Sequence, residues 1–252
     1  MKRKEFLKSL GMTSLVLPLV VGCSDDEDIN PITDDTSSES SSDSSSSDTS
    51  YSSDSCTSTP SETEGPFPTK DPSSLEQVDI TGDRTGVALS IEIAILNLNE
   101  SCAAIEGAIV DIWHCDKDGN YSEYGGTQMQ STNYTSVHFL RGRQVTDSDG
   151  LVKFTSIFPG WYQSRATHIH VHIYSSSGKS LLVTQIAFPE GDDSAVVAVN
   201  AASDYGYTKG MSGYTYNSND NVFSDGVAEE LSTISGSIEE GYSLSHSIVV
   251  SA

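Results

Sequence analysis

The sequence predicts an all-β protein whose folded part is one β-sandwich. Three observations lead there. Short apolar alternations of period two recur from about residue 87 onward. Clusters of Gly, Asn, Asp and Ser separate them and read as turns. No long stretch follows a helical period, residues 227–234 being the weak exception.

Residues 1–22 do not belong to that fold. They begin with Lys2, Arg3, Lys4 and Lys8, continue through an apolar run, and reach Gly22-Cys23. The apolar run is too short to span a bilayer and is built like a signal peptide. Val20-Val21-Gly22-Cys23 resembles the lipobox of bacterial lipoproteins, which implies a lipid on Cys23 as the membrane attachment. An exported chain anchored on the cell envelope is the expectation. Arg3-Lys4-Glu5-Phe6-Leu7-Lys8 also resembles a twin-arginine export signal with lysine in place of its second arginine.

Residues 23–59 form a low-complexity Ser/Asp/Thr tract. Between residues 24 and 60 there are ten acidic residues and no Lys or Arg. So little apolar surface cannot offset the entropy of ordering the chain, and the tract reads as a solvated, disordered tether. It supplies much of the net charge of −23, which argues against a nucleic-acid partner.

The catalytic or binding domain is expected over residues 60–252, long enough for a single core. Residues 87–96 put Leu89, Ile91, Ile93 and Ile95 on one face, as a half-buried strand does. Residues 109–113 form a second strand, ending at the turn 116–119. The turn 146–150 leads into a strand at 151–154, residues 181–188 form another, and residues 247–250 read as the last.

Of the four cysteines, Cys23 is the lipid site on this reading, which leaves Cys56, Cys102 and Cys115. In an exported protein three cysteines mean one pair and a leftover, or three free thiols. Cys56 and Cys102 both fall outside the expected strands and are the favoured pair. They would clip the start of the domain to the loop 97–106, with Cys115 a buried thiol.

The most informative stretch is residues 158–173. It starts at the breaker Pro159-Gly160 and becomes a strand in which His168, His170 and His172 alternate with Ile169, Val171 and Ile173. Alternate strand residues share a face, so the three imidazoles point one way and the aliphatic side chains the other. Same-face neighbours sit about 6.5–7 Å apart, so two imidazoles can converge on one ion at about 2 Å each. His168 and His172, about 13 Å apart, cannot share it. Spacing does not say which adjacent pair would bind. A lone His-x-His is most often a pair of half-exposed strand side chains. Here Tyr162 and Arg165 lie just upstream, and a second tyrosine-bearing turn spans residues 113–122.

Residues 111–122, 139–150 and 158–170 resemble the signature segments of the intradiol ring-cleavage dioxygenases, and Thr63-Glu64-Gly65-Pro66-Phe67 resembles that family's leading motif. The resemblance covers residues 56–250, with the motifs in the family's order. It implies a non-haem Fe(III) ion held by Tyr121 and Tyr162 as tyrosinates and by His168 and His170. It leaves His172 outside the ligand set, puts Arg165 beside the bound substrate, and makes Gln185 a glutamine supporting the site. The implied partners are a catechol-type small aromatic and O2. The implied reaction opens the ring between its two hydroxylated carbons to a cis,cis-muconate-type product. A hard ferric ion favours anionic oxygen donors and can hold a phenol ionised although the free group has a pKa of about 10. The rival readings are a different His-x-His metal enzyme, which would need a further His, Glu or Asp, and a non-catalytic surface β-sandwich that binds a ligand.

Overall fold

Two stacked β-sheets carry the chain in a computed structural model that describes residues 56–252. The expected signal segment 1–22, Cys23 and most of the tether 23–59 lie outside the described residues. In chain order the strands are β1 (Ala88–Asn97), β2 (Ala103–Ala104), β3 (Ile109–Trp113), β4 (Arg141–Val145), β5 (Leu151–Ile157), β6 (His168–Tyr174), β7 (Ser180–Ala187), β8 (Thr233–Ser237) and β9 (Gly241–Val250). The first sheet runs β2-β1-β9-β8, with β5 also on β1, and the second runs β4-β3-β6-β7. Strands of the second sheet pair antiparallel, whereas β1 and β9, from opposite ends of the domain, pair in parallel.

The core lies between the sheets. Leu89, Ile91, Ile93 and Ile95 of β1 are buried there in one cluster with Val110, Ile112, Ile169, Val171 and Ile173 of the second sheet. Each fully buried aliphatic side chain contributes about 1.5–3 kcal/mol, which fixes the parity of β6. With its isoleucines and valine inside, the histidines must stand on the reverse face. In register on that face are Trp113 opposite His170, Asp111 opposite His172, and Gln185 opposite His170 from the other side. Loops cover this face, chiefly residues 56–70, 114–140 and 158–167.

The all-β sandwich expected from the alternation is what the chain forms, with departures. Residues 227–234 are not helical. Residues 227–230 form a turn closed by Glu230 N–H on Val227 O at 3.0 Å, and Ala187 N–H donates to Glu230 O and Ser232 N–H to Ala187 O, at 2.8 and 2.9 Å, so that Leu231 bridges to the end of β7. The helix instead is α1 (Ala195–Asn200), capped by Ser194, whose side chain accepts from Val197 N–H. The last strand begins at Gly241 rather than residue 247, because the serines at 243, 245 and 247 face outward while Tyr242, Leu244 and Ile248 fill the core. β4 was not expected, since Arg141 and Arg143 break its apolar pattern. Both reach across the loop-covered face instead.

Cys56 and Cys102 are joined, and Cys115 is a free, buried thiol. The bridge spans 46 residues, for which chain entropy alone gives about 4 kcal/mol. Just after it, Thr59 is locked to the end of β9 by hydrogen bonds in both directions with Val249. The segment that then crosses the histidine face is therefore anchored at its start.

Candidate metal centre

Tyr121 is delivered by a loop that closes on itself. Asp116 Oδ1 accepts from the N–H groups of Asp118 and Asn120 at 3.0 and 2.9 Å, and Asp116 N–H donates to Asn120 O at 2.8 Å. Gly119 completes the turn at φ +85°, where a Cβ would lie 2.3 Å from Trp161 O. The Gln130 amide then grips Tyr121 from both sides, its Oε1 accepting from Tyr121 N–H at 2.6 Å and its Nε2 donating to Tyr121 O at 2.8 Å. Tyr121 is left fully buried, pointing inward.

Tyr162 follows the Pro159-Gly160 turn, where any side chain on Gly160 would strike Lys117 O at 2.4 Å. Arg165 N–H donates to Tyr162 O at 3.2 Å, a tight turn that sets the two side chains together. Arg165 Nη1 lies 3.4 Å from Tyr162 Oη and 3.4 Å from His168 Nε2.

His168 donates from Nδ1 to Ala166 O at 2.7 Å, which puts the ring proton there and leaves Nε2 a lone pair. That Nε2 faces Tyr121 Oη at 3.2 Å and His170 Nε2 at 3.1 Å. The His170 ring lies flat against the Trp113 indole, 4.9 Å between centroids at 1°. On its other side passes Gly65 at φ +68°, where a Cβ would come 3.1 Å from His170 Cε1. Thus the glycine of the leading motif permits the segment to cross the imidazole.

Of the residues singled out from sequence, Tyr121, Tyr162, His168, His170, Arg165 and Gln185 come together. Gln185 accepts from Arg165 Nη2 and donates to Thr63 O at 2.8 Å, so it ties the arginine to the leading segment. His172 does not join them. Its ring is held by Ser180 Oγ and Tyr174 Oη at 2.8 Å each and sits 3.2 Å from Glu64 Oε1. His114 is buried between Cys115 O and Ser156 Oγ, and His138 pairs with Glu123.

Other residues of the site gave no signal in the sequence. Gln130 is one polar residue in a polar loop. Arg141, fully buried, donates to Phe67 O and Ser122 O at 3.0 and 2.7 Å, joining the leading segment to the Tyr121 loop. Phe67 then stacks on Tyr121 at 4.8 Å and meets Tyr162 edge-on at 6.2 Å. Asp220 binds Arg165 from 55 residues away.

Burial dominates the electrostatics. It lowers the pKa of His168 and His170 well below the ordinary value, so both imidazoles are neutral, and the Arg165 charge adds to this. It raises Tyr121 well above and Tyr162 above the ordinary phenol, so both keep their protons unless a cation offsets the cost. Tyr121 Oη, His168 Nε2 and His170 Nε2 converge, and Tyr162 Oη is linked to them through Arg165 Nη1, a donor set able to hold a cation. No cluster of three or more His, Cys, Asp and Glu suited to an ion exists among the described residues. The partners that the His-x-His pair finds are phenols.

Residues 64–210 match the family model described as Dioxygenase. Chlorocatechol 1,2-dioxygenase of Rhodococcus opacus is 32% identical over 147 residues, 50% of this chain and 52% of that protein. The chain thus spans about half the length of the curated relative it matches. Among solved structures, an intradiol ring-cleavage dioxygenase from Tetranychus urticae superposes with a TM-score of 0.67 at 27% identity, covering 78% of this chain and 95% of that one. The 3-chlorocatechol 1,2-dioxygenase of Rhodococcus opacus 1CP shares the fold, with a TM-score of 0.52 at 16% identity over 77% of this chain and 72% of its own.

Proposed function

The chain belongs to the intradiol ring-cleavage dioxygenase family, and from that premise we propose that it opens a catechol-type ring between its two hydroxylated carbons with O2, giving a cis,cis-muconate-type product. The family generally uses non-haem Fe(III). Tyr121, Tyr162, His168 and His170 would hold the ion, and the donor chemistry fits: neutral imidazoles offer lone pairs, and phenolates neutralise a trivalent charge. When bound, the ion would keep both phenols ionised, take the two catechol oxygens and make the ring reactive toward O2.

The remaining work falls to the chain. The Gln130 clamp fixes the Tyr121 backbone, and Phe67 stacks on its ring. Tyr162 is only half-buried whereas Tyr121 is fully enclosed, so Tyr162 Oη would be the group free to take a proton from an incoming catechol hydroxyl. Arg165 presents Nη1 to the same place. A preorganised cation there stabilises negative charge developing on the ring and its oxygens. Phe67 on Tyr121 and Trp113 on His170, both buried, keep bulk water from this centre.

The observation that carries the reading is the convergence of Tyr121 Oη, His168 Nε2 and His170 Nε2 within 3.2 Å steps, with Tyr162 joined through Arg165. Iron analysis, a visible spectrum and O2 uptake on a panel of catechols test it. A wine-red, iron-bearing protein that consumes O2 and yields a muconate supports the reading. A colourless, iron-free protein that leaves every catechol intact makes this a binding module instead. From the lipobox-like Val20-Val21-Gly22-Cys23 we further propose that a lipid on Cys23 anchors the enzyme to the envelope. Cys23→Ser should then move it from the membrane fraction to the soluble fraction, and unchanged fractionation defeats the anchor.

A further inference from the structure

Arg165 is held far more firmly than a cation beside a substrate needs for solubility or packing. Its Nε donates to both Asp220 oxygens, at 3.0 and 2.8 Å, and Nη2 donates to Gln185. Phe223 lies under the guanidinium, 5.6 Å from its centre. Asp220 is itself fixed, for its oxygens also accept from Ala166 N–H at 2.8 Å and Val222 N–H at 3.0 Å, and its side chain is fully buried. A guanidinium is planar, so fixing Nε and Nη2 also fixes where Nη1 points. The edge left over is the one that faces Tyr162 Oη and His168 Nε2.

We propose that Asp220 is a positioning residue of the ring-cleavage site, which clamps Arg165 so that its Nη1 edge faces the bound ring. This rests on the dioxygenase reading above. Asp220 lies beyond the residues 64–210 that match the family model, so the clamp comes from the segment after the matched region. A buried carboxylate is suited to the task because a charge-assisted bond to Nε sets direction as well as distance. A displacement of about 1 Å of such a group can cost about a hundredfold in rate.

Asp220→Asn, Arg165→Lys and the double variant test the clamp. The amide of Asn presents a donor where Asp220 meets only donors. Asp220→Asn should therefore lower kcat by about tenfold to a hundredfold, with KM for catechol changed by less than about threefold. In the Arg165→Lys background it should cause no further loss, because the clamp has nothing to orient. An unchanged kcat, or losses that multiply in the double variant, overturns the proposal. A second readout needs no iron and no turnover. The Arg165 Nε–H resonance of the metal-free protein, assigned by its disappearance in Arg165→Lys, should exchange slowly in the wild type and quickly in Asp220→Asn. Rapid exchange in the wild type overturns the clamp even if Asp220→Asn does not fold. An inactive wild type refutes the dioxygenase reading and the positioning role with it, whereas an active wild type matched by Asp220→Asn refutes the positioning role alone.

Discussion

His168 Nε2 and His170 Nε2 face each other at 3.1 Å across the loop-covered side of β6, while His172, two residues on, is turned to Ser180, Tyr174 and Glu64. Losing one of the converging groups should therefore differ sharply from losing the third histidine. His168→Ala, His170→Ala and Tyr121→Phe should each weaken iron binding by about tenfold or more and bleach the tyrosinate colour. His172→Ala should keep both. Iron per chain and visible absorbance decide, and a bleached His172→Ala beside a coloured His168→Ala would show that the wrong pair is assigned.

Gln130 carries the Tyr121 backbone on a single amide that also donates to Tyr124 O at 2.9 Å. Gln130→Ala leaves the buried Tyr121 N–H without its acceptor, at a cost of about 1–3 kcal/mol. Its melting temperature should fall, and iron affinity should drop about tenfold because the ligand is no longer oriented. Calorimetry together with iron titration measures both, and an unchanged iron affinity means that Tyr121 needs no clamp.

His114 is neutral in the fold, burial having lowered its pKa to about 4. The unfolded chain takes up a proton near the ordinary value of about 6.5. Between those values the unfolded state binds more protons, so stability present above pH 6.5 is lost as pH falls toward 4, at up to about 1.4 kcal/mol per unit. His168 and His170, lowered for the same reason, push in the same direction. Urea midpoints of the iron-free protein should decline over this window. His114→Gln should be less stable at neutral pH yet decline less steeply, and parallel slopes would remove His114 from the cause.

The Cys56–Cys102 bridge anchors the segment that crosses His170. Replacing both cysteines by serine removes about 4 kcal/mol, which for a domain of this size lowers the melting temperature by about 8–16 °C. A variant that melts with the wild type would mean that Thr59 and Val249 suffice to hold the segment.

Much of this fold is legible locally. The run Leu89, Ile91, Ile93, Ile95 announces a strand because period two and a buried face coincide there. The same parity shows that three histidines share the side opposite Ile169, Val171 and Ile173. Strands whose outward face serves the loops are harder to see. β4 carries Arg141 and Arg143 where an apolar residue would mark a strand, and β9 hides half its length among serines. Residues 227–234 have helical spacing, but after one turn at 227–230 the backbone bonds of Glu230 and Ser232 with Ala187 take the chain out of any helix.

Parity left the histidine pair open; it is the likeness of the family's motifs that named Tyr121, Tyr162, His168, His170 and Arg165, and that of residues 184–188 that named Gln185, and such likeness resides in short runs of sequence. That His168 and His170 turn toward each other, and that Gln130, Arg141 and Asp220 hold the site, was decided only by the fold. Each of those contacts joins residues distant in the chain or lying in a loop without period, and a hydrogen bond between such partners leaves no trace in local sequence.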